Sequence, residues 1–200
     1  MSNRKRPLLL VISAPSGAGK TTLCHKLLKE LDNMVRAVTC TTRARRGREV
    51  DGKDYYFLTE AEFAKRLKRN AFLEHAVVHG RYYGTPKKEA EASLKAGKDV
   101  LLAIDVQGAG EVRRQAAAAR TGPLGRAFVD IFIVPPSIEV LEERLVGRNE
   151  DSEAEIKRRL KVARTEMKCS PEYMYCVVND SLDRAFNELK QIIAAEHART

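Results

Sequence analysis

Near the amino terminus runs Ser13-Ala14-Pro15-Ser16-Gly17-Ala18-Gly19-Lys20-Thr21-Thr22, a small-residue segment between two apolar ones. The five residues before it, Leu8-Leu9-Leu10-Val11-Ile12, form a continuous apolar run that is typical of a buried strand. After it, leucines recur at helical spacing, at Leu23, Leu27, Leu28 and Leu31. The pattern therefore predicts a strand, a loop and an amphipathic helix in succession.

The loop in this pattern has the composition and spacing of a phosphate-binding loop. Successive backbone N–H groups of such a loop surround a phosphate at a helix N-terminus. Lys20 would then reach the β- and γ-phosphates of a nucleoside triphosphate, and the Thr21 hydroxyl would bind Mg²⁺. The alternative is an ordinary strand-to-helix turn. The complete motif and its flanking segments both favour the phosphate-binding loop over that alternative. The first glycine of the common pattern is Ala14 here, and its methyl group favours negative φ.

Composition limits the class of protein. The chain has 200 residues, of which 44% are hydrophobic and 32% charged, as expected for one globular domain. No apolar run approaches membrane-spanning length, so we expect no membrane partner and no export signal. The four cysteines form no Cys-x-x-Cys pair, which predicts reduced thiols, no structural zinc and a cytoplasmic location. The net charge of +9 predicts acidic partners, either polyphosphates or nucleic acid.

Strands and helices are predicted to alternate along the chain. Buried strands are expected at 100–105, 128–134 and 174–178, and a final helix from Ser181 onward with Leu182 among its inward residues. Alternation of this kind predicts an α/β fold, a parallel sheet covered by helices on both faces. A β-rich segment of roughly residues 39–85 interrupts it as an insertion.

Four further local predictions concern the insertion and the loops. Val35–Thr39 is expected to be one short strand, and residues 60–69 a helix with Phe63 and Leu67 inward. Residues 81–86 are expected to end the strand at 71–78. Residues 121–125 are expected to form a loop between a helix and the strand at 128–134.

An arginine-rich segment lies at the start of the insertion. Residues 43–48 hold four arginines, and residues 51–57 follow as a turn leading into an aromatic strand. A solvated loop or a nucleic-acid arm would also be rich in arginine. Arginines held by β-structure, however, are better suited to bidentate binding of a single phosphate.

Two acidic residues stand in apolar surroundings. Glu74 interrupts an apolar strand, and it either faces solvent by strand alternation or binds a ligand, because an unpaired buried carboxylate is costly. Asp105 ends a buried strand, where open α/β sheets place their ligands and where an acid can act on Mg²⁺ or its waters. The alternative for Asp105 is a cap of the following helix.

A second set of arginines comes later, on two predicted helices separated by a break at 147–151. Arg144 and Arg148 share a helix face by spacing, and Arg159 follows beyond the break. The two helices are either solvated surface or a lid that closes over a triphosphate and neutralises the transferring phosphoryl group. Spacing alone leaves both open.

Over nearly the whole chain the sequence resembles the guanylate kinase family. Residues 13–22 are similar to that family's P-loop, in which Ala14 is a familiar variant. Thr41-Thr42-Arg43, Arg46-Gly47, Glu49, Gly52 and Tyr55 resemble its GMP-binding segment, which Phe72-Leu73-Glu74 and Tyr82-Tyr83-Gly84-Thr85 continue. Ile104-Asp105 before Gln107-Gly108, the stop at Pro135-Pro136-Ser137, and Val178-Asn179-Asp180 also fit.

The resemblance implies a P-loop NTPase core at 1–38, 89–139 and 168–200, a mixed β-rich GMP-binding insertion at 39–88 and a helical lid at 140–167. It implies ATP binding by Ala14, Pro15, Ser16, Gly17, Ala18, Gly19, Lys20, Thr21 and Thr22. It implies GMP binding by Thr39, Arg43, Arg46, Tyr55, Glu74, Tyr83, Thr85 and Asp105. The implied catalytic residues are Lys20, Arg43, Arg144, Arg148 and Arg159, with Mg²⁺ on Thr21 and on Asp105 through water.

Three positions depart from the family pattern. Thr39 stands where the family usually has Ser, which keeps a hydroxyl there. Ala103 stands where it usually has Asp, so a carboxylate near Mg²⁺ is missing. The loop at 120–126 is longer than usual.

The resemblance implies phosphorylation of GMP, and of dGMP, to the diphosphate by ATP and Mg²⁺ in purine nucleotide metabolism. The expected partners are ATP and GMP, with no nucleic acid, and a homo-oligomer is left open. The rivals are a related P-loop kinase for another small phosphate, such as a sugar bisphosphate, and a non-catalytic guanylate-kinase-like binding module. Nucleic-acid binding through the net charge is a third alternative that lacks a recognition motif.

Overall fold

The computed structural model describes residues 6–78, 80–147 and 152–199. Its strands are β1 (Leu9–Ser13), β2 (Met34–Arg36), β3 (Thr39–Thr41), β4 (Tyr55–Phe57), β5 (Phe72–Val78), β6 (Arg81–Pro86), β7 (Asp99–Ala103), β8 (Phe128–Val134) and β9 (Tyr175–Val178). Its α-helices are α1 (Lys20–Glu30), α2 (Glu60–Lys68), α3 (Lys87–Lys95), α4 (Val106–Ala118), α5 (Pro123–Ala127), α6 (Ile138–Val146), α7 (Glu153–Met167) and α8 (Leu182–Ala198). A short 3₁₀ turn spans Ser170–Glu172.

The larger sheet has five parallel strands in the order β2-β7-β1-β8-β9. Every residue of its central strand, β1, is buried. Because side chains alternate across a strand, Leu10 and Ile12 pack with residues of α1 and α8, while Leu9 and Val11 pack with residues of α3, α4 and α5. Helices therefore cover both faces, which confirms the predicted fold class.

The smaller sheet comes from the predicted insertion and has the order β4-β3-β6-β5. It is mixed, since β3 and β4 are parallel and the other neighbours are antiparallel. Helix α2 covers it through Phe63, which stacks on Phe72 with 4.5 Å between ring centroids and packs beside buried Cys40. This core is small, because only Cys40, Phe63 and Phe72 are buried in it.

Helices α6 and α7 pack on each other through a separate apolar cluster. Leu141 and Leu145 of α6 are fully buried against Leu160 and Ala163 of α7. Ser137 caps α6, as its hydroxyl accepts the N–H of Val140 at 3.3 Å. Where the core, the insertion and the lid begin and end remains a prediction.

Two of the local predictions misplaced strands. The predicted single strand Val35–Thr39 is two strands in different sheets, because the chain leaves β7 after the N–H of Ala37 donates to Leu101 O. Residues 81–86 do not merely end a strand, since they form β6 and pair with both β3 and β5.

Three further predictions misjudged burial or loop structure. Leu67 is 37% exposed, because Phe63 already fills the small core under α2. Leu182 is 39% exposed, because it is the first residue of α8 and precedes the turns that pack on the larger sheet. The predicted loop at 121–125 contains the start of α5, which Pro123 begins and buried Leu124 packs down.

Candidate active site

The P-loop joins β1 to α1 at the carboxyl edge of the larger sheet. Gly17 and Gly19 have φ values of 93° and 92°, which side-chain-bearing residues rarely adopt. A Cβ on Gly19 would lie 2.3 Å from Asn179 Nδ2, and one on Gly17 would lie 2.9 Å from Leu141 Cδ1. Glycine is therefore required at both positions, by the conformation and by the close approach of neighbouring elements.

Asn179, just after β9, holds the loop from the far side. Its Nδ2 donates to Ala18 O at 2.7 Å, and its backbone N–H donates to Val134 O at 2.8 Å. Its own carbonyl accepts a hydrogen bond from Arg144 Nη2 at 2.8 Å. The predicted catalytic residue Arg144 thus links α6 to the end of β9 in this conformation. In the sequence Asn179 is only one residue of a family motif, and the motif does not predict that its side chain supports the loop.

Lys20 begins α1, and its side chain points across the sheet edge. Its Nζ donates to Ile104 O, after β7, at 2.7 Å. Burial lowers the pKa of this ammonium, while the nearby acidic groups Asp105 and Glu166 act in the opposite direction. Thr21, the predicted Mg²⁺ ligand, follows on the exposed side of the helix.

Glu166 was not singled out by the sequence. It lies near the end of α7 and is half-buried, and its carboxylate lies close to the backbone N–H of Ser16 in the P-loop. Burial and the charge of Asp105 raise its pKa, and Lys20 partly offsets that rise. Helix α7 is therefore connected to the phosphate-binding loop through a side chain.

A cavity of about 290 Å³ separates the P-loop from the smaller sheet. The predicted site residues that line it are Lys20 of α1, Asp105 before α4, and four residues of the smaller sheet, Thr39, Tyr55, Glu74 and Tyr83. A second cavity, of about 360 Å³, lies on the α1 side and includes Thr21 and Thr85 in its wall. The structure therefore brings one residue of the P-loop together with most of the predicted GMP-binding residues.

Glu74 is the buried carboxylate of this cavity. Only 5% of the residue is exposed, and Thr85 Oγ1 donates to its Oε1 at 2.6 Å. Burial raises the pKa of Glu74, and the charges of Asp105 and Glu111 raise it further, while the Thr85 hydrogen bond opposes the rise. Of the two alternatives for Glu74, exposure to solvent is therefore excluded.

Asp105 adopts the capping role that the sequence left open. Its Oδ1 accepts the N–H of Gly108 at 2.8 Å and so caps α4. The same side chain faces the cavity beside Glu74, since a Cβ on Gly108 would lie 3.3 Å from Glu74 Oε2 and 3.4 Å from Asp105 Oδ1. The absence of a side chain at Gly108 leaves room between the two carboxylates.

The arginine-rich segment is organised around Glu49. Its Oε1 accepts Arg43 Nη2 at 2.6 Å, and its Oε2 accepts the backbone N–H of Arg46 at 2.8 Å. The Arg43 hydrogen bond is the main reason that the pKa of Glu49 lies below its usual value. The guanidinium of Arg43 lies 5.4 Å from the centre of the Tyr55 ring, and Tyr55 packs edge-on against Tyr83. The side chain of Arg46 is exposed.

Of the remaining predicted arginines, Arg159 lies on α7. Arg159 Nε is 3.8 Å from Glu155 Oε1 on its own helix. Arg148 lies outside the described residues. Within the described residues, no helix is both long and apolar enough to cross a membrane.

Comparison with known proteins places this arrangement in a family. The guanylate kinase family model matches residues 5–196. A guanylate kinase of Caldanaerobacter subterraneus is 44% identical over 199 residues, which cover 100% of this chain and 92% of that protein. A guanylate kinase of Thermotoga maritima is 44% identical over 191 residues, which cover 96% of this chain and 88% of that protein.

The chain belongs to the guanylate kinase family. A solved structure agrees, since guanylate kinase from Anaplasma phagocytophilum superposes with a TM-score of 0.71 at 34% identity, covering 98% of this chain and 89% of that one. The resemblance seen in the sequence is thereby confirmed at the level of the family and the fold. The roles of individual residues are a separate matter and rest on the geometry given above.

Proposed function

We propose that this chain transfers the γ-phosphoryl group of ATP to GMP, giving ADP and GDP, and that dGMP is also an acceptor. Membership of the guanylate kinase family supports phosphorylation of GMP by ATP. The observation that carries the proposal is the shared cavity, in which Lys20 of the P-loop and the buried carboxylate of Glu74 face the same space. A phosphate donor and a base-bearing acceptor are thereby served by one site.

Glu74 is proposed to read guanine. An ionised carboxylate can accept both the N1–H and the 2-amino group of guanine, and Thr85 Oγ1 already orients Oε1. Adenine presents an acceptor at N1 and has no 2-amino group, so it would leave the buried carboxylate unpaired. A site of this kind can discriminate by about 10⁴ or more. Asp105, beside Glu74, is proposed to assist on the guanine side.

The acceptor phosphate is proposed to lie at the tyrosine end of the cavity. Tyr55 and Tyr83 offer hydroxyls there, while Thr39, at the start of β3, would offer its hydroxyl to guanine. Arg43 lies over the Tyr55 ring and would supply charge, with Arg46 approaching from the exposed loop. Glu49 would hold these arginines in place until phosphate binds.

Residues 14–22 are proposed to bind the ATP phosphates, with Lys20 on the β- and γ-phosphates. Mg²⁺ would be held by the Thr21 hydroxyl and the phosphates, with Asp105 acting through water. In the described part of the chain, no three His, Cys, Asp or Glu side chains are grouped so as to hold a metal ion. A site of one hydroxyl, one outer carboxylate, phosphates and water fits this cation, which keeps several of its waters.

The proposed catalysis is positioning and neutralisation of charge. The attacking oxygen of GMP is already anionic, so it needs no strong general base. Lys20, Arg43 and, from the proposed lid at 140–167, Arg144, Arg148 and Arg159 would stabilise the transferring phosphoryl group. Mg²⁺ supplies further neutralisation of the phosphates when bound. A cytoplasmic location is proposed because the four cysteines are free thiols.

The experiment is a coupled assay with ATP, Mg²⁺ and a panel of nucleoside monophosphates that includes GMP, dGMP and AMP, with a sugar bisphosphate as a further acceptor. We expect GMP to be preferred over AMP by about 10⁴ in kcat/KM.

Glu74→Gln should reduce kcat/KM for GMP by at least a hundredfold with KM for ATP nearly unchanged, because Gln presents a donor towards guanine. The matched control is Glu60→Gln, on the exposed face of α2. Unchanged GMP kinetics in Glu74→Gln would remove the guanine-reading role, and no turnover of any acceptor would favour the binding module.

A further inference from the structure

Arg36 is the last residue of β2, at the carboxyl end of the edge strand of the larger sheet. It pairs in register with Leu101 of β7, and directly after it the chain crosses to the smaller sheet. Arg36 lines both the 290 Å³ cavity and the 360 Å³ cavity, as do Lys20, Thr39 and Ala103. Arg36 is therefore located at the boundary between the P-loop side and the acceptor side of the cleft.

The charges around the acceptor cavity make this position significant. Glu74 and Asp105 are both acidic, so a phosphate dianion entering the same space needs cations near it. The cationic side chains in its wall are Lys20 and Arg36. The Lys20 ammonium already donates to Ile104 O, and Arg43 is hydrogen-bonded to Glu49 and, at 2.7 Å, to Ala44 O. Arg36 is therefore the arginine in the wall of this cavity.

Ala103 lies two residues beyond Leu101, the register partner of Arg36, and bears no charge. Ala103 ends β7, beside β2, and lines the same two cavities, where the guanylate kinase pattern usually has Asp. A carboxylate at that position would compete with phosphate for the guanidinium. Among the residues that the structure describes, no ion pair of Arg36 is found.

We propose that Arg36 is a phosphate-binding residue of the acceptor site, contacting the phosphate of the nucleoside monophosphate. The proposal rests on the proposed function, since it concerns the acceptor of the same cavity. A guanidinium offers two parallel N–H donors to a phosphate and keeps its charge at all physiological pH values. Arg36 and Lys20 line the same cavity as Tyr55 and Tyr83, so a phosphate held between the tyrosines and Arg36 would also face the P-loop, where the donor phosphate would lie.

The test is calorimetric binding of GMP and of guanosine, without ATP, to the wild type, Arg36→Ala and Arg36→Lys. We expect Arg36→Ala to weaken GMP binding by about ten- to a hundredfold and guanosine binding by less than twofold, because guanosine has no phosphate. Arg36→Lys should fall between the wild type and Arg36→Ala for GMP, since lysine keeps the charge without the paired donors. Arg45→Ala, in the exposed arginine loop, is the matched control and should bind both ligands like the wild type.

Steady-state kinetics complete the test. In Arg36→Ala we expect KM for GMP to rise about tenfold or more, with KM for ATP within twofold of the wild type. The proposal is overturned if the affinity for GMP is unchanged, if guanosine binding falls equally, or if only KM for ATP changes. If Arg36→Ala does not fold, as judged by its thermal transition, the comparison of Arg36→Lys with the wild type decides. Failure of the proposed function would instead appear in the wild type, as GMP binding without turnover.

Discussion

The two halves of the cleft are built from different parts of the chain. In the P-loop half the groups proposed to bind phosphate are mainly backbone N–H groups, and close packing holds the loop, with Gly17 against Leu141 and Gly19 against Asn179. In the acceptor half the groups proposed to bind the nucleotide are side chains carried by separate strands, such as Glu74 on β5 and Tyr83 on β6. The P-loop half is one continuous segment of sequence, whereas the acceptor half is formed by residues that the folding of several strands brings together.

The two halves also differ in what they do for stability. Around the P-loop, Asn179 gives the carbonyl of Ala18 a buried partner, so the contact that shapes the loop also stabilises the fold. In the acceptor half, Glu74 is buried with a raised pKa, which means that its ionised form is held at a cost. Substitutions in the two halves should therefore change stability in opposite directions.

Lys20→Ala should have the largest effect, on catalysis. Loss of the ammonium removes a positive charge next to the phosphates, and we expect kcat to fall on the order of a hundred- to a thousandfold or more. Steady-state assays with saturating ATP and GMP measure this. Lys29→Ala, on the exposed side of the same helix, should leave kcat within twofold. Retained turnover in Lys20→Ala would show that this loop is not the phosphate site.

Asn179→Ala should destabilise the P-loop half. It leaves Ala18 O buried without its 2.7 Å donor, so we expect the free energy of unfolding to fall by about 1–3 kcal/mol. Because the loop is then held less firmly, KM for ATP should rise more than KM for GMP. Asn33→Ala is a matched control, because Asn33 Nδ2 also donates to a carbonyl, that of Gly97 at 2.9 Å, but on the surface. Equal losses in the two variants, measured by urea denaturation, would contradict the role of Asn179.

Glu74→Gln should have a smaller effect on stability than Asn179→Ala, and in the opposite direction. The amide keeps an oxygen that can accept the Thr85 hydroxyl but has no charge to bury, so we expect the free energy of unfolding at pH 7 to rise by on the order of 1 kcal/mol. The folded-state pKa of Glu74 is raised above its unfolded value, so the wild type binds its proton more tightly when folded. The difference between the two proteins should therefore be full above the folded-state pKa and shrink as pH falls through it.

The measurement for this third prediction is denaturation of both proteins from pH 4 to pH 8. A gap that is constant over this range would mean that burial of the Glu74 charge does not affect stability. The same raised pKa predicts that GMP affinity begins to fall, on acidification, at a higher pH than an ordinary glutamate would give, because the protonated carboxyl accepts guanine less well.

Several features could be predicted because their cause is local. The run at 8–12, the glycines of the loop and the leucines of α1 specify a strand, a turn and a helix through contacts between near neighbours, and β1 and α1 lie where they were expected. The open alternatives for Glu74 and Asp105 could not be decided in this way. Burial of Glu74 depends on Thr85 and Gly108, which other strands and helices bring to it.

The mistaken predictions share one physical origin. Val35 and Thr39 both suit a strand by propensity. Val35 belongs to β2, which pairs with β7, whereas Thr39 belongs to β3, which pairs with β4 and β6. Leu67 is apolar, but Phe63 is the residue of α2 that packs into the small core of the insertion, and Leu67 stays exposed. The hydrophobic pattern of the sequence shows that a residue is suited to a strand or a core. Whether that residue is buried depends on a surface that another part of the chain provides.

By itself the sequence determined the α/β fold, the phosphate-binding loop and, through scattered motifs, membership of the guanylate kinase family, because each depends on residue types at set spacings. Only the tertiary structure decided that Glu74 is buried beside Asp105, that Asn179 supports Ala18, and that Arg36 faces the acceptor cavity. The physical reason is that these properties belong to pairs of residues far apart in the chain. Solvent exclusion, charge and hydrogen bonding act on them only after the two sheets and their helices have packed.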